Sequence, residues 1–190
     1  RARTAVQEKG LGAWLGGDLR NFLDRLAVQW RAGHYIRGFH RLYYHAADDI
    51  PPKTWRACSW LGVPAQKCPL DLFVYQQILY ETRPEVIVET GTADGGSALF
   101  LSSLCDLLGR GEVLTVDIAD ACRARHPRLT CIVGSSIDPR VVNQVRERVA
   151  GRPAMVLLDS DHSQAHVLQE LRAYSPLVPV GGYVVVEDSN

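Results

Sequence analysis

One stretch constrains the fold of this chain more than any other. Val86-Ile87-Val88 is a short β-branched run that ends in Glu89, and Thr90-Gly91-Thr92-Ala93-Asp94-Gly95-Gly96-Ser97 follows it as a glycine-rich turn. A helix-forming run from Ala98 to Leu108 comes next. Strand, tight turn and helix is the geometry in which backbone N–H groups at a helix start face a small ligand. Gly91, Gly95 and Gly96 are expected to permit positive φ and close backbone approach to that ligand. The spacing G-x-x-x-G-G is not the G-x-G-x-x-G dinucleotide fingerprint, so the turn alone names no ligand. The next unit adds to it: Val113-Leu114-Thr115-Val116-Asp117 reads as a second buried strand ending in a carboxylate, placed where it can grip two ribose hydroxyls.

From Glu85 onward strands and helices alternate. Strands are predicted at 86–89, 113–117, 129–133, 155–159 and 182–187, with helices at 97–108, 140–149 and 164–174. Continuous apolar strands in alternation with helices predict an α/β fold, a parallel sheet covered on both faces, in the order 3-2-1-4-5. Asp138-Pro139 predicts a capped helix start with Val141, Val142, Val145 and Val149 as its buried stripe. Val167, Leu168, Leu171 and Tyr174 form the corresponding stripe of the last helix. Upstream, Asp71 is read as the cap of a helix carrying Leu72, Tyr75, Ile78 and Leu79, stopped by Arg83 before Pro84. Trp60 to Pro64 is a turn-rich stretch.

Residues 1–54 carry no strand signal and are expected to form a helical extension to the 55–190 domain. Asp18 is read as a cap for a helix with one buried face, Leu19, Phe22, Leu23, Leu26 and Trp30. The aromatic and histidine-rich segment 34–45 is expected to be a loop, either a plain surface one or a lid over the substrate, and its histidines match no zinc spacing. The 21 basic and 21 acidic residues leave no net field to favour nucleic acid or an anionic membrane. No apolar run approaches the roughly 18 residues of a membrane span. Five scattered cysteines without C-x-x-C imply free thiols and a cytoplasmic protein.

In a sheet of this kind ligands sit beyond the carboxyl ends of the strands. Those ends are Glu89, Asp117, the Gly134-Ser135-Ser136 turn, Asp159-Ser160-Asp161-His162 and Glu187-Asp188. One charged strand end can simply be solvated. Six carboxylates and a histidine on a single rim point instead to a site.

At these residues the sequence resembles the cephalosporin hydroxylase and rhamnosyl O-methyltransferase family of class I S-adenosylmethionine-dependent methyltransferases. The matching segments are Trp60-Leu61-Gly62, Lys67-Cys68-Pro69-Leu70-Asp71, the 89–98 turn, and Gly134-Ser135-Ser136-x-Asp138-Pro139. Leu158 to Ser163 and Val186-Glu187-Asp188 complete the match. The resemblance implies a Rossmann-like, doubly wound sheet. That class closes its sheet with a sixth and seventh strand, and this chain is expected to lack both, with parts of the substrate pocket. Strand five is then an unpaired edge, and such an edge invites homo-oligomer formation.

The resemblance also implies a site. Glu89, Gly91, Thr92 and Ser97 fall around the methionine end of S-adenosylmethionine, Asp117 at its ribose, and Ser135 and Ser136 near adenine, with Asp159 beside them. A Mg²⁺ ion is implied on Asp159 or Asp161 together with Glu187 and Asp188; the match does not choose between the two aspartates. The acceptor is expected to be a hydroxyl of a small natural product or sugar. Proton transfer from an alcohol to an ordinary histidine is uphill by roughly nine pK units, about 12 kcal/mol. A Lewis-acidic cation can remove much of that gap, which explains a carboxylate cluster that the methyl donor alone does not require. His162, with Asp161, is then the candidate catalytic pair; His162 serves either as the base or as a partner that orients an aspartate. Lys67 can act near the substrate or in a salt bridge. The competing reading is an accessory protein that binds S-adenosylmethionine or a metal without turnover.

Overall fold

The computed structural model describes residues 11–45 and 55–188. The chain divides into two compact units between Thr54 and Trp55.

In the first unit a single helix, α1 (Leu11–His40), runs into a π-helical turn at Arg41–His45. Three expectations change here. Asp18 lies inside the helix and not at its start, because the helix begins at Leu11. The segment from His34 continues as helix and is not a loop, with Phe39 and Tyr43 stacked at 5.2 Å four residues apart. The predicted stripe is also not buried: Leu19, Phe22, Leu23 and Leu26 are exposed, and Trp30 is 84% exposed. Periodicity identified a helix face, but burial also needs an opposing surface.

The second unit opens with a short 3₁₀ turn (Trp55–Ala57) and a hairpin, β1 (Ser59–Trp60) and β2 (Val63–Pro64). Leu61 and Gly62 at its tip both have positive φ, 49° and 84°, the mirror-image turn that suits a twisted two-residue hairpin. Helix α2 (Pro69–Thr82) follows. Its N-cap is Cys68, with Pro69 at the first helical position, so Asp71 sits in the first turn and is not the cap. Arg83 closes the helix in the left-handed conformation, its N–H donating to the Leu79 carbonyl at 2.9 Å.

The sheet comprises β3 (Val86–Thr90), β4 (Glu112–Asp117), β5 (Leu129–Val133), β6 (Ala154–Leu158) and β7 (Val184–Val186). All neighbours are parallel, in the order β5-β4-β3-β6-β7, which is the predicted order. Helices α3 (Gly96–Leu107), α4 (Pro139–Val149) and α5 (Gln164–Tyr174) connect β3 to β4, β5 to β6 and β6 to β7. The step from β4 to β5 has no helix.

Strand periodicity of two sorts the core into two faces. Val86, Val88, Val116, Val156 and Leu158 pack with the α4 valines and Tyr174 on one side. Ile87, Val113, Met155 and Leu157 pack with Leu72, Tyr75, Leu79 and Leu101 on the other. Leu168, expected in the α5 stripe, is exposed, and Glu170 is buried in that helix instead. The chain runs outward from β3 to β5 and then returns to set β6 on the opposite side of β3. That reversal opens a crevice between the carboxyl ends of β3 and β6.

Candidate active site

A cavity of about 480 Å³ occupies this crevice. The size suits a small-molecule ligand. Its wall includes Gly91, Thr92, Ser97, Asp117, Ser135, Ser136, Asp159, Asp161, His162 and Asp188. Ten of the expected site residues thus share one cavity. The remaining two, Glu89 and Glu187, lie off its wall.

Gly91 lines the cavity, and Gly95 and Gly96 follow it in the same turn. A Cβ on Gly91 would lie 1.8 Å from the Asp159 carbonyl oxygen, and one on Gly96 would lie 2.3 Å from that of Pro64. A Cβ on Gly95 would meet Ala124 and Cys122. The turn is therefore pressed against other parts of the chain: backbone fills the space beside Gly91 and Gly96, and the Ala124 and Cys122 side chains that beside Gly95. Gly91 and Gly95 have the expected positive φ, 86° and 92°; Gly96 does not.

Asp117 ties the end of β4 to this turn. One carboxylate oxygen accepts from Ala93 N at 2.9 Å and the other from Ala119 N at 2.8 Å. Each oxygen retains a lone pair for a ligand hydroxyl. Glu89 lies beneath the turn, wholly buried. Ser97 Oγ donates to one of its oxygens and Thr115 Oγ1 to the other, both at 2.6 Å, and Thr92 Oγ1 lies 2.7 Å from Thr115 Oγ1. Burial pushes the Glu89 carboxyl above its ordinary range, against the pull of Lys67 and the two hydroxyls. Glu89 thus acts on the cavity through Ser97, which it holds directly, and through Thr115, which passes the link on to Thr92.

On the β6 and β7 side, Asp159, His162 and Asp188 each place a ligand-type atom within 4.8 Å of the others. His162 Nε2 lies 3.6 Å from Asp188 Oδ2. Asp188 is itself in the left-handed region at φ 48°, a conformation that Asp tolerates better than most residues. Asp161 faces solvent and accepts from Ser163 N at 2.8 Å, a hydrogen bond that holds its carboxyl below the usual range. Glu187 is paired behind the wall with Lys67 Nζ at 3.2 Å. The angle there makes no hydrogen bond, and the Glu187 Oε1 atom is buried without one. Lys67 also pairs with Asp159 Oδ2. Burial opposes the Lys67 charge, but Asp159 and Glu187 outweigh it and keep the ammonium protonated. Burial likewise pushes the Asp159 carboxyl up, against the pull of Lys67.

Lys67 arrives here because of the hairpin. Trp60 donates from Nε1 to Ser103 Oγ at 3.1 Å and packs edge-on against Phe100, which seats β1 and β2 on α3. The chain then turns at Gln66, φ 51°, and Lys67 enters the strand ends of β6 and β7.

The structure adds a cluster that sequence reasoning missed. His166, on the cavity wall, lies 3.0 Å from Ser136 Oγ and 3.5 Å from Glu170 Oε1. Ser160 donates to the same Glu170 oxygen at 2.7 Å, and Tyr174 donates to the Ser136 carbonyl at 2.6 Å. The i, i+4 spacing of His166 and Glu170 was the available signal. It was masked by the apolar stripe reading of the same helix.

A sequence profile described as Rhamnosyl O-methyltransferase/CmcI matches residues 52–190. The chain is 35% identical over 166 residues to a Rhamnosyl O-methyltransferase of Mycobacterium tuberculosis, covering 79% of this chain and 68% of that one. It is 32% identical over 115 residues to an 8-demethyl-8-alpha-L-rhamnosyl tetracenomycin-C 2'-O-methyltransferase of Streptomyces olivaceus, covering 57% and 30%. Among solved structures, CmcI with Mg and SAM superposes with a TM-score of 0.60 at 26% identity, covering 70% of this chain and 58% of that one. MycE methyltransferase of the mycinamycin biosynthetic pathway, in complex with Mg, SAH and mycinamycin VI, gives 0.52 at 25%, covering 60% and 33%. The strand order, the cavity at the switch point and the span of the match lead to one conclusion: the chain belongs to the Rhamnosyl O-methyltransferase/CmcI family.

Proposed function

We propose that this protein is an S-adenosylmethionine-dependent O-methyltransferase that uses a divalent cation, with a sugar or natural-product hydroxyl as acceptor. The observation that carries the reading is the joint placement of Asp117 and the Asp159–His162–Asp188 group on one cavity at the strand-order switch. The residues fit both groups. Asp117 has spare lone pairs on a carboxylate already locked to the Gly91–Gly95 turn. Asp159 and Asp188 offer hard oxygen donors without a thiol, the donor set of a cation such as Mg²⁺. Asp161, engaged by Ser163 N, borders the same cavity, whereas Glu187 is held off it by Lys67.

When bound, the sulfonium supplies an electrophilic methyl group and the cation lowers the pKa of a hydroxyl beside it. The chain's own part is positioning. Asp117 fixes the ribose, Ser135 and Ser136 border the adenine end, and Ser97 and Thr92, held by Glu89, line the methionine end. Asp159 and Asp188 gather the acceptor oxygen near His162, which takes the hydroxyl proton at Nε2 and is half exposed, so it can pass that proton to water. In-line placement supplies most of the remaining rate enhancement.

Titration calorimetry with S-adenosylhomocysteine tests the donor site: affinity should fall at least tenfold in Asp117→Ala, corresponding to about 1.4 kcal/mol or more. Equal affinity removes Asp117 from the site. Methyl transfer to rhamnosyl acceptors, assayed in EDTA and in Mg²⁺, tests the rest. Turnover undiminished in the chelator, or an Asp188→Ala variant as active as its parent, would overturn the metal assignment. Tight binding with no turnover on any acceptor would favour an accessory role.

A further inference from the structure

Lys67 is 5% exposed, yet it carries its charge into the place where two strand-end carboxylates meet. It pairs with Asp159 from β6 and Glu187 from β7, and neither it nor Glu187 lines the cavity. Asp159 therefore has two sides. Its Oδ2 faces the ammonium, while the residue also borders the cavity and groups there with His162 and Asp188. Of the three carboxylates gathered around Lys67 and His162, Asp159, Glu187 and Asp188, Lys67 offsets one formal charge, and the two that remain match one divalent ion; Asp161, whose carboxylate is engaged by Ser163 N, stands outside this group.

We propose that Lys67 is a positioning residue, a resident counter-ion that holds the ends of β6 and β7 together and trims the acidic cluster to the charge of one divalent cation. The divalent half of this statement rests on the function proposed above; the counter-ion half does not. Without the ammonium, Asp159 and Glu187 would face each other in a poorly hydrated gap, and repulsion would part the two strands where β7 has its shortest pairing, three residues with β6. With it, the carboxylates stay close before any metal arrives. The same charge competes with the metal for Asp159 and so limits its affinity.

Two measurements test this. In EDTA, Lys67→Met should melt roughly 5–15 °C below the parent, as expected for one partner removed from a buried ion pair. Adding Glu187→Gln should recover a third or more of that loss, and Lys67→Arg should lose less than Lys67→Met. A doubly substituted protein no more stable than Lys67→Met would overturn the counter-ion role, because a purely packing role for the lysine stem gains nothing from removing a charge. If Lys67→Met does not fold in EDTA, the double variant must fold for the proposal to stand. Mn²⁺ binding, read from the free-ion electron paramagnetic resonance signal, is the second measurement. Lys67→Met should bind Mn²⁺ more tightly than the parent, by roughly tenfold since one opposing charge is gone, and the double variant, which restores the parent's net charge, should bind within about threefold of the parent. Equal or weaker binding by Lys67→Met, or a departure of roughly tenfold or more from the parent by the double variant, overturns the charge-trimming half. A parent that binds no Mn²⁺ overturns the divalent-cation reading itself, while the melting series still decides the counter-ion.

Discussion

Gly91→Ala should be the most damaging single-methyl substitution in the glycine turn, and three glycines allow its two causes to be separated. Gly62, at the hairpin tip, has φ 84° and nothing within 4 Å of where a Cβ would stand, so only the conformational cost applies. That cost is about 1–2 kcal/mol, offset by about 0.4–1 kcal/mol from the stiffer unfolded chain. Gly96→Ala has no positive φ but drives a methyl to 2.3 Å from the Pro64 oxygen. An overpacking cost of about 1–3 kcal/mol is offset there by roughly 1 kcal/mol of helix propensity. Gly91 combines both: φ 86° and 1.8 Å to the Asp159 oxygen, with the Asp159 carbon at 2.6 Å and Ser160 N at 3.1 Å. All three are backbone atoms, so no rotamer change relieves the overlap and the end of β6 must move. The expected loss is about 2–5 kcal/mol, or roughly 5–15 °C in Tm for a chain of this size. Urea melts of the three variants and the parent measure it. Because the displaced atoms belong to Asp159, Mn²⁺ affinity should fall in Gly91→Ala and stay unchanged in Gly62→Ala. A Gly91→Ala protein as stable as Gly62→Ala would refute the backbone contact between β3 and β6 as the reason for a glycine here.

Two further outcomes follow from the same geometry. Burial holds the Glu89 carboxyl above its ordinary 4.5, so the folded state keeps that proton to higher pH than the unfolded chain does. Its contribution to stability is thus full below 4.5 and lost as pH rises through the folded value; Tm of Glu89→Gln should fall less steeply than the parent's over that rise, and parallel curves would refute a buried, proton-retaining Glu89. Asp138→Ala removes the acceptor for Arg140 N at the start of α4 and should cost about 0.5–2 kcal/mol in chemical denaturation; an unchanged midpoint would show that the cap contributes nothing.

Much of the fold was legible because its signals are local. Short apolar runs such as Val86-Ile87-Val88, Asp138-Pro139 and the glycine turn each specify a strand, a helix start or a reversal without reference to distant residues. The order β5-β4-β3-β6-β7 followed from alternation and the short connections it demands. Predictions failed where a local pattern had to find a partner. The α1 stripe has the right period and stays exposed. Asp71 has the right side chain for a cap, but Pro69 moves the helix start two residues earlier.

For the site, sequence alone determined that acidic groups would gather at one end of the sheet, because parallel strands all deliver their carboxyl ends to the same side. Only the tertiary structure decided how those groups divide. Glu89 turns inward to Ser97 and Thr115 and Glu187 backward to Lys67, leaving Asp117, Asp159 and Asp188 on the cavity together with Asp161, whose carboxylate is engaged by Ser163 N. Lys67 lies 92 residues from Asp159 in the chain, and no periodicity spans that distance. The ion pair exists because Trp60 and Gly96 seat the hairpin on α3, and side-chain packing of that kind is set by three-dimensional shape, which a linear pattern of residue types does not encode.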